Sequence, residues 1–127
     1  MNYPKITIWI AARNEEENII NCLHSIEKLN YPTESLQVLI GNDHSDDKTE
    51  SLVKQFIKDK IYFQLIDIRK VINHQRGKAN VLANLYEYST GEYFLICDAD
   101  VTVNPDWVKG MIANFENQDR LPVVTAG

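Results

Sequence analysis

Two aspartates that flank one small residue are the clearest candidates for chemistry in this sequence. Asp98 and Asp100 come directly after the apolar run EYFLIC. Two carboxylates at this spacing on a turn can bind one hard divalent cation, with the remaining positions left to water and ligand phosphates. Mg²⁺ or Mn²⁺ held in this way neutralises the charge that grows on a diphosphate leaving group. The same pair could equally be a solvated turn that caps the next segment.

A third carboxylate and a lysine occupy comparable positions. Asp43 ends another apolar run and could accept hydrogen bonds from the N–H groups of a base or from ribose hydroxyls. Lys78 follows Gly77 at the start of a predicted helix, where a cation beside the positive helix terminus suits a phosphate or the uracil–ribose region. An ordinary surface lysine is the alternative. His44 has no second His or Cys nearby, so we expect an exposed turn residue rather than a metal ligand.

These residues follow short β-rich runs that alternate with amphipathic stretches. The predicted strands are Lys5–Ala11, Leu36–Gly41, Ile61–Ile68, Glu92–Cys97 and Leu121–Thr125. The predicted helices are Glu15–Leu29, Ser45 or Asp46 to about Lys58, Gly77 to about Tyr88, and one that opens at Asn104-Pro105. This alternation predicts an α/β fold with a mainly parallel sheet and helices on both faces. In such sheets ligands bind at the carboxyl ends of the strands, where the candidate residues lie.

Each predicted helix has a distinguishing signal. The first carries acidic residues in its first turn, where the helix dipole favours them. The second is expected to be capped by Ser45 or Asp46. The apolar residues at helical spacing are Leu52, Val53, Phe56 and Ile57 in the second helix; Ala79, Leu82, Ala83 and Tyr86 in the third; and Trp107, Met111, Ile112 and Phe115 in the fourth. Trp107 and Phe115 are expected to pack in the core.

Length and composition limit the class of protein. A chain of 127 residues with 44% hydrophobic and 24% charged residues is typical of one soluble globular domain. Its net charge of −5 argues against a nucleic-acid binder. Cys22 and Cys97 lie in apolar patterns, which predicts two buried, reduced thiols and a reducing compartment. No apolar run approaches the ~20 residues of a membrane span. We therefore expect a cytoplasmic segment without membrane contact, in a parent that could be membrane-associated.

Taken in order, the segments resemble the family 2 glycosyltransferases of GT-A fold. The resemblance runs from ITIWIAARNEEENIINCLHSI through VLIGNDHSDDKT to QRGKANVLANLYEYSTGEYFLICDADVTVNPDWV. It identifies residues 1–127 as one nucleotide-diphospho-sugar-binding domain, the Rossmann-like half of a longer enzyme. The first family segment usually reads P-x-x-N-E and lines the nucleotide pocket. Here Ala11 replaces the proline, and Arg13, Asn14 and Glu15 keep the rest, so Ala11, Arg13 and Glu15 are expected in the pocket.

The second and third segments carry the nucleotide contacts that the resemblance implies. The family pattern D-D-x-S-x-D-x-T has Asn42 in place of its first Asp, and the uracil-contacting acid corresponds to Asp43. The G-K-A-x-A-L-N stretch places Lys78 at a nucleotide-contacting basic position and Asn84 at the family's helix asparagine. The Asn42 departure leaves the choice of base open.

The last segment resembles the family's D-A-D motif, in which the aspartates bind ribose, diphosphate and the metal. Asp98 and Asp100 are therefore expected to hold Mn²⁺ or Mg²⁺ and a nucleotide-diphosphate sugar, with UDP as the expected nucleotide. The implied reaction is an inverting transfer to the hydroxyl of a saccharide or lipid-linked acceptor, as in the synthesis of cell-envelope polysaccharides. In the family a later Asp or Glu is the general base. No such motif is present before Gly127, so no catalytic residue is assigned, and we expect the isolated chain to be inactive.

Two other functions remain open from the sequence. The chain could bind a nucleotide without turnover. Alternatively, Asp98–Thr102 matches the D-x-D-x-T motif of haloacid-dehalogenase-type phosphatases, although only 27 residues follow Asp100. A dinucleotide-binding domain lacks support because the chain has no G-x-G-x-x-G.

Overall fold

The protein is described by a computed structural model that covers residues 3–115 and 123–126. In chain order its elements are β1 (Ile6–Ala12), α1 (Ile19–Glu27), a short 3₁₀ helix (Thr33–Ser35), β2 (Leu36–Asn42), α2 (Thr49–Ile57), β3 (Phe63–Asp67), α3 (Gly77–Tyr86), β4 (Tyr93–Cys97), α4 (Trp107–Phe115) and β5 (Val123–Ala126). The strands form one five-stranded sheet in the order β3-β2-β1-β4-β5. Every strand pair is parallel. The predicted α/β fold is confirmed.

Two apolar layers cover the faces of the sheet. The larger core joins β1 and β2 to α1, α2 and α4, and the smaller core lies between the sheet and α3. The alternation along β1 explains the division, because Ile8 and Ile10 belong to the larger core while Trp9 belongs to the smaller one. Trp107 is buried in the larger core, and Phe115 packs against it, as predicted.

The strand order creates a switch point between β1 and β4. From β1 the chain moves outward through β2 to β3, then returns to build β4 and β5 on the other side. Consecutive connections thus leave opposite sides of β1, and a crevice opens between their loops at the carboxyl ends of the strands. The parallel register brings Ala12 beside Asn42, and Asn42 beside Asp67, at this edge of the sheet.

Helix α1 begins four residues later than the sequence pattern indicates. The acidic residues that precede it lie ahead of its first turn, which contains no acid. Residues 15–19 form a turn, in which the Asn18 and Ile19 amides donate to the Glu15 carbonyl oxygen at 3.0 and 2.8 Å. The backbone amides of Glu15 and Glu16 donate to Thr49 Oγ1 and Asp47 Oδ2, at 2.8 and 3.2 Å, which ties the turn to the start of α2.

The predicted cap of the second helix is wrong. Helix α2 begins at Thr49, and neither Ser45 nor Asp46 caps it. Instead, Asp47 Oδ1 accepts the Thr49 backbone amide at 2.9 Å and the Thr49 hydroxyl at 2.6 Å. The Ser45 hydroxyl accepts the backbone amide of Asn14 at 3.0 Å, which ties it to the neighbouring loop.

Helix α3 buries a different face from the one that its apolar residues suggest. Tyr86 is 61% exposed, whereas the buried positions are Asn80, Val81, Asn84 and Leu85. The two asparagines face inward because they fasten the preceding loop. Asn80 Nδ2 and Asn84 Nδ2 donate to the Lys70 carbonyl oxygen at 3.0 and 3.1 Å, and Asn80 Oδ1 accepts the Ile72 amide at 2.9 Å.

A glycine in β2 allows α3 to lie close to the sheet. A Cβ atom at Gly41 would stand 2.5 Å from Val81 Cγ1, well inside van der Waals contact. Only a residue without a side chain permits this approach. The amino-terminal half of α3, and with it Lys78, is therefore held near the end of β2.

The remaining differences concern the ends of strands. Residues 60–63 turn, with the Phe63 amide donating to the Lys60 carbonyl oxygen, so β3 begins at Phe63 and Ile61 is fully exposed. The last predicted strand is present as Val123–Ala126, while its first two predicted residues, at 121 and 122, lie outside the described residues.

The two cysteines are free and buried, as predicted. Their sulfur atoms lie 3.8 Å apart, and the hydrogen bond between them, together with burial, raises the pKa of the Cys22 thiol. Among the described residues, no helix has the length and apolar character that crossing a membrane requires.

Candidate functional site

A cleft of about 430 Å³ opens at the switch point between β1 and β4. Its walls are the ends of β1, β2 and β4 and the start of α3. All seven residues expected at a nucleotide site lie around it, namely Ala11, Arg13, Glu15, Asp43, Lys78, Asp98 and Asp100. Loops that are distant in the sequence meet here because the parallel strands all end at one edge of the sheet.

The aspartate pair after β4 is asymmetric. Asp98 is half-buried, and its Oδ1 atom lies 2.5 Å from Lys78 Nζ. Asp100 is exposed, and no partner binds its carboxylate within the described part of the chain. Across residues 3–115, no group of three or more His, Cys, Asp or Glu side chains could enclose a metal ion. The turn after β4 thus offers the cleft two carboxylates, one of them paired with a lysine.

Asp43 directly follows β2 and lines the cleft, where its carboxylate can contact a ligand. Its backbone amide donates to the Ala12 carbonyl oxygen at 2.9 Å, which extends the β1–β2 pairing by one hydrogen bond. Its carboxylate has no partner among the described side chains. His44 is exposed with a positive φ of 59°, so it is the turn residue that was expected.

Hydrogen bonds join the loop after β1 to the loop after β2. We call the residues that form these bonds the loop clasp. They are Asn14, Glu15, Glu16, Ser45, Asp46, Asp47 and Thr49. The Asn14 amide donates to Ser45 Oγ at 3.0 Å, and the Asp46 amide donates back to Asn14 Oδ1 at 2.8 Å. The Glu15 amide donates to Thr49 Oγ1 at 2.8 Å. The two loops that carry Arg13 and Asp43 therefore behave as one unit.

Asp47 is the charged centre of the loop clasp. Partial burial alone would raise the pKa of its carboxyl, but hydrogen bonds from the Thr49 hydroxyl, the Thr49 amide and the Glu16 amide outweigh it and lower the pKa below its ordinary value of 3.8. The carboxylate is thus committed to protein donors. It is less free than Asp43 to contact a ligand.

Asn42, the departure from the family pattern, has a structural role in this chain. Its Nδ2 atom donates to Asp67 Oδ1 at 3.2 Å, and its Oδ1 atom accepts the Ser45 amide at 3.3 Å. The side chain is buried and joins the ends of β2 and β3. It does not line the cleft.

Four lining residues were not singled out from the sequence as site residues: Ala12, Gly77, Val81 and Ala99. Gly77 could have been predicted from the sequence, since a glycine at the start of a helix often provides a positive φ. Its φ is 54°. The others are apolar residues at strand or helix positions, where the sequence alone does not distinguish a cleft wall from the core.

Known proteins share the sequence pattern of this chain over most of its length. The sequence model described as "Glycosyl transferase family 2" matches residues 7–126. The poly-beta-1,6-N-acetyl-D-glucosamine synthase of Staphylococcus aureus (strain COL) is 34% identical over 120 residues, which is 94% of this chain and 27% of the synthase. The chain spans less than a third of the length of the curated relatives it matches.

Two solved structures share the fold. The mannosyltransferase PcManGT from Pyrobaculum calidifontis, in complex with GDP-Man and Mn²⁺, superposes with a TM-score of 0.77 at 26% identity and covers 87% of this chain and 32% of its own. S. aureus TarS 1-349, in complex with UDP-GlcNAc, gives a TM-score of 0.72 at 23% identity over 89% of this chain and 31% of its own.

Proposed function

The chain belongs to glycosyl transferase family 2, and on that basis we propose that its cleft binds a UDP-sugar and a divalent cation for transfer of the sugar to an acceptor hydroxyl. The observation that carries the proposal is the meeting of Asp43, Lys78, Asp98 and Asp100 in one cleft at the switch point. These side chains come from the ends of two strands, β2 and β4, and from the start of α3. Their chemistry matches the successive parts of a nucleoside diphosphate.

Asp43 and Lys78 are assigned to the nucleotide. A carboxylate without a protein partner can accept the N3–H of uracil, and hydrogen bonds of this charged kind are about twice as strong as neutral ones. Lys78 lies in the first turn of α3, where its ammonium group and the helix amides both favour a phosphate. Ala11, Arg13 and Glu15 complete the wall on the β1 side.

The cleft is chemically suited to Mg²⁺ or Mn²⁺. These ions bind through one or two carboxylates and take their other ligands from water and substrate phosphates. Asp98 and Asp100 would supply the protein oxygens, and the described residues offer no larger set. When bound, the ion neutralises the charge on the departing diphosphate. The Mn²⁺ held with GDP-Man by the P. calidifontis enzyme supports this assignment.

The proposed reaction is a displacement with inversion. The acceptor oxygen forms a bond to the anomeric carbon as the bond from that carbon to the diphosphate oxygen breaks, and the electron pair leaves with UDP. The acceptor proton passes to a base, to which we assign no residue of this chain. The S. aureus relative is named as a polysaccharide synthase, which favours a role in making cell-envelope polysaccharide.

The phosphatase alternative has no supporting observation. Its motif needs to follow the first strand of its core, whereas Asp98–Thr102 follows β4. The match to the transferase family covers the same residues.

Calorimetric titration with UDP tests the proposal. We expect UDP to bind at least about tenfold more tightly with Mn²⁺ than with EDTA, a difference of ~1.4 kcal/mol. Asp100→Asn should remove most of this difference, because it takes away the exposed carboxylate of the pair. Asp59→Asn, on the surface outside the cleft, is the matched control and should leave it unchanged. Equal UDP affinity with and without metal in the unaltered chain would rule out the proposed site.

A further inference from the structure

We propose that Lys78 blocks the Asp98 carboxylate against a metal ion until a diphosphate draws the lysine away, so that metal and nucleotide bind cooperatively. The inference rests on the proposed function and adds a mechanism to it. Its starting point is the ion pair across the cleft, in which Lys78 Nζ lies 2.5 Å from Asp98 Oδ1. The pair links the first turn of α3 to the end of β4.

The pair differs in position from the other ion pairs of the described residues. Those join neighbours along one segment or lie outside the cleft, as Lys54–Glu50 does on α2. Lys78 and Asp98 are 20 residues apart, and both line the cleft. The ammonium group therefore occupies one of the two carboxylates that would hold a cation.

Competition follows from charge. A divalent ion placed between Asp98 and Asp100 would share Asp98 with a positive ammonium group, so each cation opposes the binding of the other. Asp100 alone is a weak ligand, since Mg²⁺ and Mn²⁺ sites of this type depend on carboxylates together with phosphate oxygens. Without nucleotide, we expect metal binding to be suppressed.

A diphosphate changes this balance. Its oxygens offer the ammonium group charged acceptors in place of Asp98, next to the amino-terminal end of α3. Moving the ammonium group from Asp98 to the diphosphate costs little free energy. The Lys78 and Asp98 side chains are 50% and 36% exposed, and an ion pair this exposed is weak. Asp98 is then free for the metal. By linkage, the metal must raise nucleotide affinity by the same factor as the nucleotide raises metal affinity.

The test measures Mn²⁺ binding to the unaltered 127-residue chain and to Lys78→Met, first alone and then with saturating UDP, by calorimetry and by electron paramagnetic resonance of free Mn²⁺. Methionine keeps the length of the side chain and removes the charge. We expect Lys78→Met to bind Mn²⁺ alone about two- to fivefold more tightly, the range that an exposed ion pair can supply. The factor by which UDP raises Mn²⁺ affinity should fall by a similar amount.

Two further variants are controls for the effect of Lys78→Met on Mn²⁺ binding. Lys78→Arg keeps a cation and should resemble the unaltered chain, while Lys54→Gln removes a lysine on α2 and should have no effect. If Mn²⁺ alone binds Lys78→Met no more tightly than the unaltered chain, the inference is overturned. It is also overturned if UDP raises Mn²⁺ affinity equally in both. Failure of the proposed function looks different, since UDP would then bind the unaltered chain equally well in Mn²⁺ and in EDTA.

Discussion

The carboxylates of the loop after β2 are neighbours in sequence but have different surroundings. Asp47 accepts hydrogen bonds from Thr49 and Glu16, so its oxygens are satisfied by the protein. Asp43 lines the cleft, and its carboxylate has no partner among the described residues. A half-buried carboxylate that accepts no hydrogen bond from the described residues can accept one from an N–H or O–H group of a ligand in the cleft. Of the two, Asp43 is the residue to which we assign the proposed nucleoside contact.

We expect Asp43→Ala to weaken binding of UDP and uridine about tenfold or more, since a hydrogen bond to a charged group contributes ~1.5–3 kcal/mol. The melting temperature should stay close to that of the unaltered chain, because the carboxylate forms no hydrogen bond or ion pair with the described residues that would be lost. Calorimetry and thermal denaturation measure the two effects. Asp46→Ala, an exposed neighbour in the same loop, is the matched control. Unchanged uridine affinity in Asp43→Ala would show that this residue does not read the base.

For single residues, the sequence predicted seven of the side chains that line the cleft but not their contacts. Asp43 and Asp98 directly follow strands, Asp100 shares the turn with Asp98, and Lys78 lies at the start of a helix. The Lys78–Asp98 pair could not, since it depends on how far α3 approaches the end of β4. The hydrogen bond by which Asn42 joins β2 to β3 could not be predicted from the sequence either, because its partner Asp67 lies 25 residues away on another strand.

Among the elements, the loop clasp has the greatest effect on the site. It joins the loop after β1 to the loop before α2, and both loops contribute lining residues. Helices α1 and α2 both start later than predicted, and residues of the loop clasp lie at or just before each start. Sequence propensity favoured local caps at Ser45 and Asp46, but contacts between the loops prevailed. Such contacts leave no periodic signal in the sequence.

We expect Asp47→Ala to lower the melting temperature by a few degrees and to weaken UDP binding although Asp47 does not line the cleft. The reason is that the Glu16 and Thr49 donors lose their acceptor, which removes one of the hydrogen bonds between the two loops and loosens the loop clasp. The folded-state pKa of Asp47 is lowered below its ordinary value of 3.8, so its stabilising effect is complete above that pH and is lost as the pH falls through the lower folded value.

Thermal denaturation between pH 2 and pH 7 measures this difference, with Asp46→Ala as the control. The gap in melting temperature between the unaltered chain and Asp47→Ala should be constant above about pH 4 and narrow below it. A gap that widens on acidification, or that is absent at neutral pH, would contradict the stabilising role of the carboxylate.

For the whole molecule, the alternation of strands and helices was sufficient to predict the fold. Each predicted strand and α-helix of the described chain is present, with ends shifted by up to four residues for α1 and Ile61 left outside β3. The sequence did not reveal which helix covers which face. Helix α3 illustrates the reason, because its buried Asn80 and Asn84 fasten a loop and are not recognisable as core residues by polarity.

We expect the 127-residue chain to bind a UDP-sugar without measurable transfer to an acceptor. Among the described residues, the acids that line the cleft are Glu15, Asp43, Asp98 and Asp100, and all of them are assigned to the donor side. Glu116 and Asp119 lie outside the described residues. A general base contributes about 10²–10⁴-fold in rate, so only slow hydrolysis of the donor should remain.

Release of labelled sugar from UDP, with and without a saccharide or lipid-linked acceptor, measures this. A longer protein that contains the chain and transfers the sugar would serve as the positive control. Robust transfer that depends on the acceptor, catalysed by residues 1–127 alone, would mean that a base is present in this chain.

The close approach at Gly41 lies behind the cleft. Val81 Cγ1 would lie 2.5 Å from a Cβ atom at this position, so a larger residue there must displace the Val81 side chain or the helix that carries it. If the helix moved, Lys78 would move with it, because it lies three residues from Val81 on α3. A position in the sheet that does not line the cleft can therefore influence the helix that does. For protein engineering, Gly41 is a spacer: the absence of a side chain at this position lets α3 lie close to β2.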